Sequence, residues 1–289
     1  MKIGIIGSDN SHAKVFAKAL NVERHKEYSD IRITHIWGED PAETQDKVEH
    51  GNIPNIAEKP TDMIGQVDAA LLVLRHGGLH REHALPFIEA KIPLFIDKPL
   101  ACSPADARTI LAATEKYKVP LTSFSVVRYD SAIQKLKANL KEFGEITTGD
   151  VAGVISAASA QYGGMIFYGI HTTELMLELF GYGVTGIFAE EINDTTVATV
   201  CYGDQKIVTM HFMGKSSYLF SATIHGEKKS AHQTADAGDH YPQGLKRFIN
   251  LFRTGKQELT SEQLFEPVAI HDAITRSLKS GKMEEVERY

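Results

Sequence analysis

The sequence predicts an α/β protein with a doubly wound parallel sheet first and an α+β domain with a mostly antiparallel sheet second. From the start of the chain to about residue 122, short apolar runs alternate with amphipathic stretches, which is typical of repeated strand–helix units. After Phe124, strand-like runs follow one another without helices between them. The length of 289 residues also exceeds one average domain. We therefore expect domains at 1–122 and 123–289.

In the first domain, buried strands should alternate with amphipathic helices. Its strands are expected at Lys2–Ile6, Ile31–Trp37, Asp68–Leu74, Ile92–Ile96 and Val119–Phe124. Its helices are expected at Ala13–Asn21, Ala42–His50, Leu79–Ala90 and Pro104–Tyr117. The run Asp68–Leu74 is apolar at nearly every position, which indicates a central parallel strand covered on both faces.

The second domain combines several alternating runs with a few helices. Its strands are expected at Ile146–Ser156, Val184–Glu190, Thr195–Tyr202, Lys206–Met213 and Tyr218–His225. Its helices are expected at Ser131–Phe143, Thr172–Phe180, Pro242–Arg253 and Ser261–Ser280. Gly203-Asp204 between two alternating runs predicts a hairpin, and Gly255 ends one of the helices. The polar stretch Glu227–Gly238 is predicted to be a mobile loop.

The bulk composition restricts the class of protein. A net charge of −6 argues against a nucleic-acid binder, which needs a basic face to neutralise phosphates. Cys102 and Cys201 cannot form a disulfide framework. No run approaches the roughly 18 apolar residues that a membrane helix needs. We expect a soluble, cytoplasmic protein without nucleic-acid or membrane partners.

The segment Gly7-Ser8-Asp9-Asn10-Ser11-His12 follows the first strand, where a Rossmann dinucleotide-binding domain holds its phosphates. Of the Gly-x-Gly-x-x-Gly fingerprint only Gly7 is present, since Asp9 and His12 take the other two places. A carboxylate about 4 Å from a phosphate would cost roughly 4 kcal/mol at an effective dielectric constant near 20. Asp9 must therefore turn away, for example to cap the next helix, or the loop binds no pyrophosphate.

A ribose-binding carboxylate is expected just after the second strand. Glu39 is the better candidate there, because Asp40 precedes Pro41 and has the pattern of a helix cap. A surface position for Glu39 is an equal alternative. Glu39, together with the absence of an arginine close behind it, favours NAD over NADP.

Several short motifs occur in the order and spacing of one known family. These motifs are Phe95-Ile96-Asp97-Lys98-Pro99-Leu100, His80, Arg128-Tyr129, Gly169-Ile170-His171, Tyr241–Phe252 and Ile270–Gly281. Together they resemble the Gfo/Idh/MocA family of nicotinamide-dependent oxidoreductases, whose motif at the first of these places is Glu-Lys-Pro. The resemblance extends over essentially the whole chain.

The resemblance implies hydride transfer between NAD(P) and a carbon of a sugar, cyclitol or similar polyhydroxylated molecule. It also implies a large open sheet in the second domain, through which the chain forms a homodimer or homotetramer. Lys98 and His171 take the catalytic positions. A histidine suits proton transfer near neutral pH, and a lysine cation stabilises alkoxide-like charge. Considered singly, each residue has a simpler interpretation. His171 is then a buried histidine, and Lys98 is the ion-pair partner of Asp97.

The remaining candidates surround these two residues. Candidate cofactor-binding residues are Gly7, Ser8, Asp9, Asn10, Ser11, His12, Glu39, Leu74, Arg75, His76, His80, Asp97, Lys98 and Arg128. Candidate substrate-binding residues are Lys98, Arg128, Tyr129, Tyr162, Tyr168, His171, Thr172 and His240. The family often has an acid four residues before the histidine, where this chain has Phe167, and a Thr-Pro where it has Leu74-Arg75. Tyr168 and Glu174 are candidate substitutes for that acid.

Two alternatives follow from these departures and from the histidine content. One is a non-catalytic ligand-binding or sensor protein on a degenerate Rossmann fold. The other is a metal site formed by His76, His80 and His83 with His12 and His171. Chance clusters are common among 13 histidines, so no metal is predicted.

Overall fold

The computed structural model describes residues 1–203, 205–235 and 240–289; the side chain of His240 lies outside this description. The chain packs as two compact units. The first unit contains Met1–Ala101, Ala105–Ser123 and Leu245–Leu259. The second unit contains Cys102–Pro104, Phe124–Gly244 and Thr260–Tyr289.

A six-stranded sheet forms the centre of the first unit, in the order β3-β2-β1-β4-β5-β6. Its strands are β1 Lys2–Ile6, β2 Arg32–Trp37, β3 Asn55–Ile56, β4 Ala69–Leu72, β5 Leu94–Asp97 and β6 Leu121–Phe124. Its helices are α1 Ser11–Ala17, α2 Pro41–Gly51, α3 His80–Glu89 and α4 Pro104–Tyr117. Because β1 pairs in parallel with both β2 and β4, the strand order reverses there. In such sheets, ligands bind at the strand ends beside this reversal.

Helix α2 begins where its cap dictates. Asp40 accepts the backbone N–H groups of Ala42 and Glu43, so α2 starts at Pro41 as predicted. Helix α1 is shorter than the predicted Ala13–Asn21, because the chain continues as a π-helix over Lys18–Glu23.

An aromatic cluster ties residues 245–259 into the first unit, although the sequence analysis placed them in the second domain. The ring of Phe248 stacks on Phe95 at 4.8 Å and meets Phe16 edge-on at 5.0 Å. All three rings are buried. Burying an aromatic side chain contributes roughly 1.5–3 kcal/mol, so this apolar contact accounts for the placement.

The second unit contains a seven-stranded sheet in the order β12-β11-β7-β10-β9-β8-β13. Its strands are β7 Ile146–Val154, β8 Gly186–Ile192, β9 Thr195–Cys201, β10 Ile207–Met213, β11 Phe220–Gly226, β12 Ser230–Thr234 and β13 Glu284–Glu285. Its helices are α5 Ser131–Ala138, α6 Ile166–Phe180 and α8 Ser261–Ser280, and α7 His240–Thr254 runs from this unit into the first. All its neighbouring strands are antiparallel except β7 and β10. The predicted fold class is confirmed.

Helix α6 lies directly on β7, and a glycine makes this close approach possible. A Cβ atom on Gly153 would lie 2.1 Å from Thr172 Oγ1 and 2.6 Å from the ring of Phe220. The helix starts at Ile166 rather than at the predicted Thr172, because it is apolar nearly all round and buried along its length. His171 therefore lies inside the helix and not at its start.

One further prediction for this unit is corrected. The stretch Glu227–Gly238 was expected to be a mobile loop, but Ser230–Thr234 pairs antiparallel with β11. Its polar residues alternate in exposure, as in an edge strand with one solvated face. Residues 236–238 of that stretch lie outside the described residues. Asp204 of the predicted hairpin also lies outside them, but β9 and β10 do pair antiparallel as the hairpin requires.

No helix within residues 1–203, 205–235 or 240–289 is both long and apolar enough to cross a membrane.

Candidate functional site

The loop after β1 is shaped by Gly7 and capped by Asn10. Gly7 has φ +108°, and a Cβ atom there would lie 2.8 Å from Leu74 N. Asn10 Oδ1 accepts the backbone N–H of His12 at 3.1 Å and begins α1. Ser8 is buried, with its hydroxyl 2.9 Å from that of Thr44. The loop is thus a tight turn at the strand-order reversal, even though it has one glycine.

Asp9 turns its carboxyl toward Arg75 and does not cap the helix. Asp9 Oδ2 accepts the backbone N–H of Arg75 at 3.3 Å, while Oδ1 is buried without a hydrogen-bond partner among the described residues. Burial raises the pKa of Asp9, against the opposing effect of Arg75. The suggestion that Asp9 caps α1 was wrong, because Asn10 does so.

Asp97 is buried and contacts both the loop after β1, residues 7–12, and the backbone of Lys98. We call residues 7–12 the phosphate loop, after the position that this segment has in Rossmann domains. Its Oδ2 accepts from Asn10 Nδ2 at 2.9 Å and lies 2.6 Å from His12 Nδ1, and its Oδ1 accepts the Lys98 N–H at 2.9 Å. Burial alone would raise the pKa of Asp97, but the charges of His12 and Lys98 outweigh it and lower the pKa. With 1% exposure, Asp97 orders the loop from beneath and does not face a cofactor.

A cleft of about 650 Å³ opens beside this loop. Its lining residues are Asp9, Asn10, Ser11, Lys14, Asp40, Ala42, Glu43, Asp46, Lys47 and Arg75. The loop and α1 form one side of it, and α2 forms another. Lys47 is held by Glu43 at 2.7 Å and by Asp46 at 2.9 Å. The cleft thus presents cations beside the loop and carboxylates along α2.

Four other predicted cofactor residues of this unit, namely Glu39, Leu74, His76 and His80, are not among the residues that line this cleft. Glu39 is exposed but is not part of the lining. Leu74 is buried, and His76 Nδ1 accepts the N–H of Gly78 at 3.0 Å. His80 has 0% exposure, with its ring nitrogens 2.9 Å from the carbonyls of Pro99 and Leu74. This burial corrects the prediction for His80, which supports the backbone around Lys98 instead of contacting a cofactor.

The histidine cluster does not form a metal site in the described part of the chain. No three His, Cys, Asp or Glu side chains among those residues are arranged to hold a metal ion. His83 packs its ring against Trp37 at 5.1 Å, and both nitrogens of His80 face backbone carbonyls.

In the second unit, His171 is held by a serine that the sequence analysis did not identify. Ser125 Oγ lies 2.6 Å from His171 Nδ1. The His171 side chain is nearly buried, with the rings of Tyr168 at 5.1 Å and Phe220 at 5.4 Å. Ser125 directly follows β6, at the carboxyl end of the strand, where parallel sheets place functional groups. This position is the sequence feature that could have indicated a role for Ser125.

Arg128 is buried in an ion-pair network and is not available to a ligand. Its exposure is 1%, and its guanidinium contacts Glu178 at 2.7 Å, Glu174 at 3.1 Å and the hydroxyl of Tyr182 at 2.7 Å. Glu178 also accepts from Lys137 at 2.7 Å. The predictions that Arg128 binds cofactor or substrate are corrected, since its donors are used to neutralise buried carboxylates.

The other predicted substrate residues differ in their surroundings. Thr172 has 0% exposure and faces Gly153 of β7, so it cannot contact substrate. Tyr129 is buried edge-on against Phe124 at 4.9 Å. Tyr162 packs on Phe167, and Tyr168 packs on His171; both tyrosines are partly exposed. The side chain of His240 lies outside the described residues.

Glu174 should make the stability of this unit depend on pH. Burial raises its pKa to about 7 from 4.5, although Arg128 and the Ser125 N–H act in the opposite direction. The folded state then retains a proton that the unfolded state has lost, so the free energy of unfolding should fall as pH rises from about 4.5 to about 7. The slope from this group reaches at most about 1.4 kcal/mol per pH unit.

Glu174→Gln should remove this contribution. Urea unfolding at pH 5 to 8 is expected to give a flatter pH dependence for the variant than for the wild type. The exposed Glu115→Gln serves as the control and should keep the wild-type slope. Equal slopes for Glu174→Gln and wild type would contradict the assignment.

Comparisons with known proteins show what the chain is similar to. Residues 1–124 match the model of the oxidoreductase family with an NAD-binding Rossmann fold. An inositol 2-dehydrogenase of Gluconacetobacter diazotrophicus is 30% identical over 160 residues, which cover 52% of this chain and 43% of that protein. The match thus spans less than half of that curated relative.

Solved structures resemble the chain over its length. A probable dehydrogenase from Thermotoga maritima superposes with a TM-score of 0.85 at 18% identity and covers 99% of both chains. A scyllo-inositol dehydrogenase from Lactobacillus casei, solved with NAD(H) and scyllo-inositol, gives a TM-score of 0.85 at 15% identity, again covering 99% of both chains. At these identities the likeness shows the fold.

Proposed function

We propose that this chain is an enzyme that transfers a hydride between NAD(P) and a hydroxylated small molecule, because residues 1–124 match the model of the oxidoreductase family with an NAD-binding Rossmann fold. The observation that carries the proposal is the Asp97 network, which orders the phosphate loop and the backbone of Lys98 with one buried carboxylate. These contacts with Asp97 hold the loop at residues 7–12 in a defined conformation beside the cleft, although it lacks two of the fingerprint glycines.

The residues around the cleft fit a dinucleotide. Asp9 is turned toward the Arg75 N–H, and Lys14 and Arg75 contribute positive charge to the lining. On the α2 side, Asp40, Glu43 and Asp46 present carboxylates, which suit a ribose diol better than a 2′-phosphate. NAD is therefore proposed over NADP.

Lys98 and His171 are assigned to the substrate oxygen and its proton. When bound, a nicotinamide cofactor would supply a hydride acceptor for the carbon that carries the hydroxyl group. As that carbon loses the hydride, the hydroxyl proton must leave, and the imidazole of His171 takes it. The ammonium of Lys98 stabilises negative charge on the oxygen while the carbonyl forms. The same groups act in reverse during reduction.

The proposed substrates are cyclitols and related polyols. One curated relative is an inositol 2-dehydrogenase, and one solved neighbour holds scyllo-inositol. Partly exposed polar groups beside His171, such as Tyr168, suit a ligand that carries many hydroxyl groups.

A spectrophotometric assay tests this proposal. Formation of NADH or NADPH at 340 nm is to be followed with NAD⁺ or NADP⁺ and a panel of inositols, aldoses and amino sugars. Inososes, which are ketones, are assayed for oxidation of NADH or NADPH. Turnover of at least one polyol pair is expected, and His171→Asn should lower kcat about 10²- to 10⁴-fold. Turnover that His171→Asn leaves unchanged would overturn the assigned role.

We also propose that copies of the chain assemble through the second-unit sheet. On β9 and β10, Val197, Thr199, Thr209 and His211 alternate with core residues and are partly exposed, which leaves one face of the sheet to be covered. Sedimentation analysis should show a dimer or tetramer. A monomer at micromolar concentration would contradict this assembly.

A further inference from the structure

A histidine that removes a proton through Nε2 needs its Nδ1–H held by an acceptor. That acceptor fixes the tautomer and the direction in which the ring points. A carboxylate one helical turn earlier on α6 could do this, but the residue there is Phe167, whose ring packs on Tyr162 and Tyr168. The acceptor must come from another element.

Ser125 lies at the required atom and is itself held in place. Its Oγ is 2.6 Å from His171 Nδ1 and accepts the N–H of Val127 at 3.2 Å. Its backbone N–H donates to Glu174 Oε2 at 2.8 Å, and Arg128 holds the same oxygen at 3.1 Å. With 0% exposure, the hydroxyl cannot exchange partners with bulk water. Backbone and side chain of Ser125 are both fixed.

We propose that Ser125 is the positioning residue for His171: its hydroxyl accepts Nδ1–H and directs Nε2 to the substrate. The role of Nε2 rests on the proposed function, whereas the hydrogen bond between Ser125 and Nδ1 does not depend on any substrate or cofactor. Since Oγ has two lone pairs, it can accept from His171 and from Val127 together. This arrangement holds for the neutral ring and for the imidazolium.

The surroundings of His171 predict how it titrates. Tyr168, on the same helix, and Phe220, from β11, face the ring, and Tyr218 is hydrogen-bonded to Tyr168. Glu174 lies behind Ser125 and contacts its backbone instead of the imidazole. A neutral hydroxyl stabilises an imidazolium less than a carboxylate does. His171 should therefore remain a neutral base at lower pH than a carboxylate-paired histidine.

NMR titration of His171 tests the proposal without any substrate. Histidine ¹⁵N signals are to be recorded from pH 5 to 9, with the His171 signal identified by its loss in His171→Gln. The variants are Ser125→Ala, Ser125→Cys, and Ser125→Ala combined with Phe167→Asp or, as the matched neutral control, Phe167→Asn. Ser125→Cys retains the volume but is a weak acceptor.

In Ser125→Ala and Ser125→Cys, the share of the Nδ1–H tautomer should fall, and the titration midpoint should drop by up to about one pH unit. Adding Phe167→Asp should restore the Nδ1–H tautomer and move the midpoint above the wild-type value by about one unit. Phe167→Asn should not raise it. Folded Ser125 variants whose His171 signals match the wild type would overturn the proposal.

Kinetics give a second readout once a substrate pair is known. Ser125→Ala should lower kcat about tenfold with little change in KM, because the lost contact orders the base and does not bind substrate. Phe167→Asp should recover part of the loss, with the basic limb of the pH profile shifted upward. If the protein binds neither NADH nor NADPH, the proposed function fails, while the NMR result still decides on Ser125.

Discussion

Replacing Arg128 with methionine is expected to lower the free energy of unfolding by about 3–5 kcal/mol, the cost of breaking a buried ion-pair network. The substitution removes the cation that Glu174 and Glu178 share in a buried site, while Glu178 keeps its ion pair with Lys137. Glu174 must then take up a proton, or its surroundings must unfold. The reduction should appear as a lower midpoint in urea denaturation at pH 7.

Lys137→Met is the matched control, because Lys137 binds the same Glu178 from a side chain that is 46% exposed. Exposed ion pairs contribute about 1 kcal/mol or less, so this variant should remain near the wild type. Combining Arg128→Met with Glu174→Gln and Glu178→Gln should recover most of the lost stability. The structural role of Arg128 would be contradicted if the free energy of unfolding of Arg128→Met lay within about 1 kcal/mol of the wild-type value, which is the effect expected for an exposed ion pair.

Replacing Lys98 with methionine should lower kcat about 10²- to 10³-fold, which is the usual effect of removing one group that stabilises developing oxyanion charge. Methionine keeps the length and apolar stem of lysine but carries no charge. The backbone N–H that Lys98 donates to Asp97 is unaffected, so the fold and the affinity for NADH should be retained.

Lys98→Arg and the exposed Lys116→Met provide the comparison. The arginine retains the charge with a different geometry and should keep part of the activity. Lys116→Met should match the wild type. Turnover by Lys98→Met within threefold of the wild type would exclude Lys98 from charge stabilisation.

The strand–helix pattern predicted the parallel strands of the first unit except β3, but it gave no sign that residues 245–259 belong to this unit. Buried parallel strands read as continuous apolar runs, so Ala69–Leu72 and Leu94–Asp97 could be located from their neighbours along the chain. The predicted family resemblance is confirmed for residues 1–124. Local signals also located the start of α2 and both ends of α8.

The site could be predicted less well, because its contacts join distant parts of the chain. Ser125 and His171 are 46 residues apart, and Asp9 and Arg75 are 66 apart, so no local pattern records either pair. Arg128 has the motif of a ligand-binding residue, but its burial depends on two carboxylates on α6. Hydrogen bonding to backbone carbonyls likewise decides the role of His80.

The central claim is that the loop from Gly7 to His12 still serves a nicotinamide cofactor. Equilibrium titration of the wild-type protein with NADH and with NADPH, followed by cofactor fluorescence, tests this most directly. Saturable binding of NADH in the micromolar range, tighter than that of NADPH, is the predicted result. An absence of binding by both cofactors at millimolar concentration would contradict the account and leave a Rossmann fold that serves another ligand.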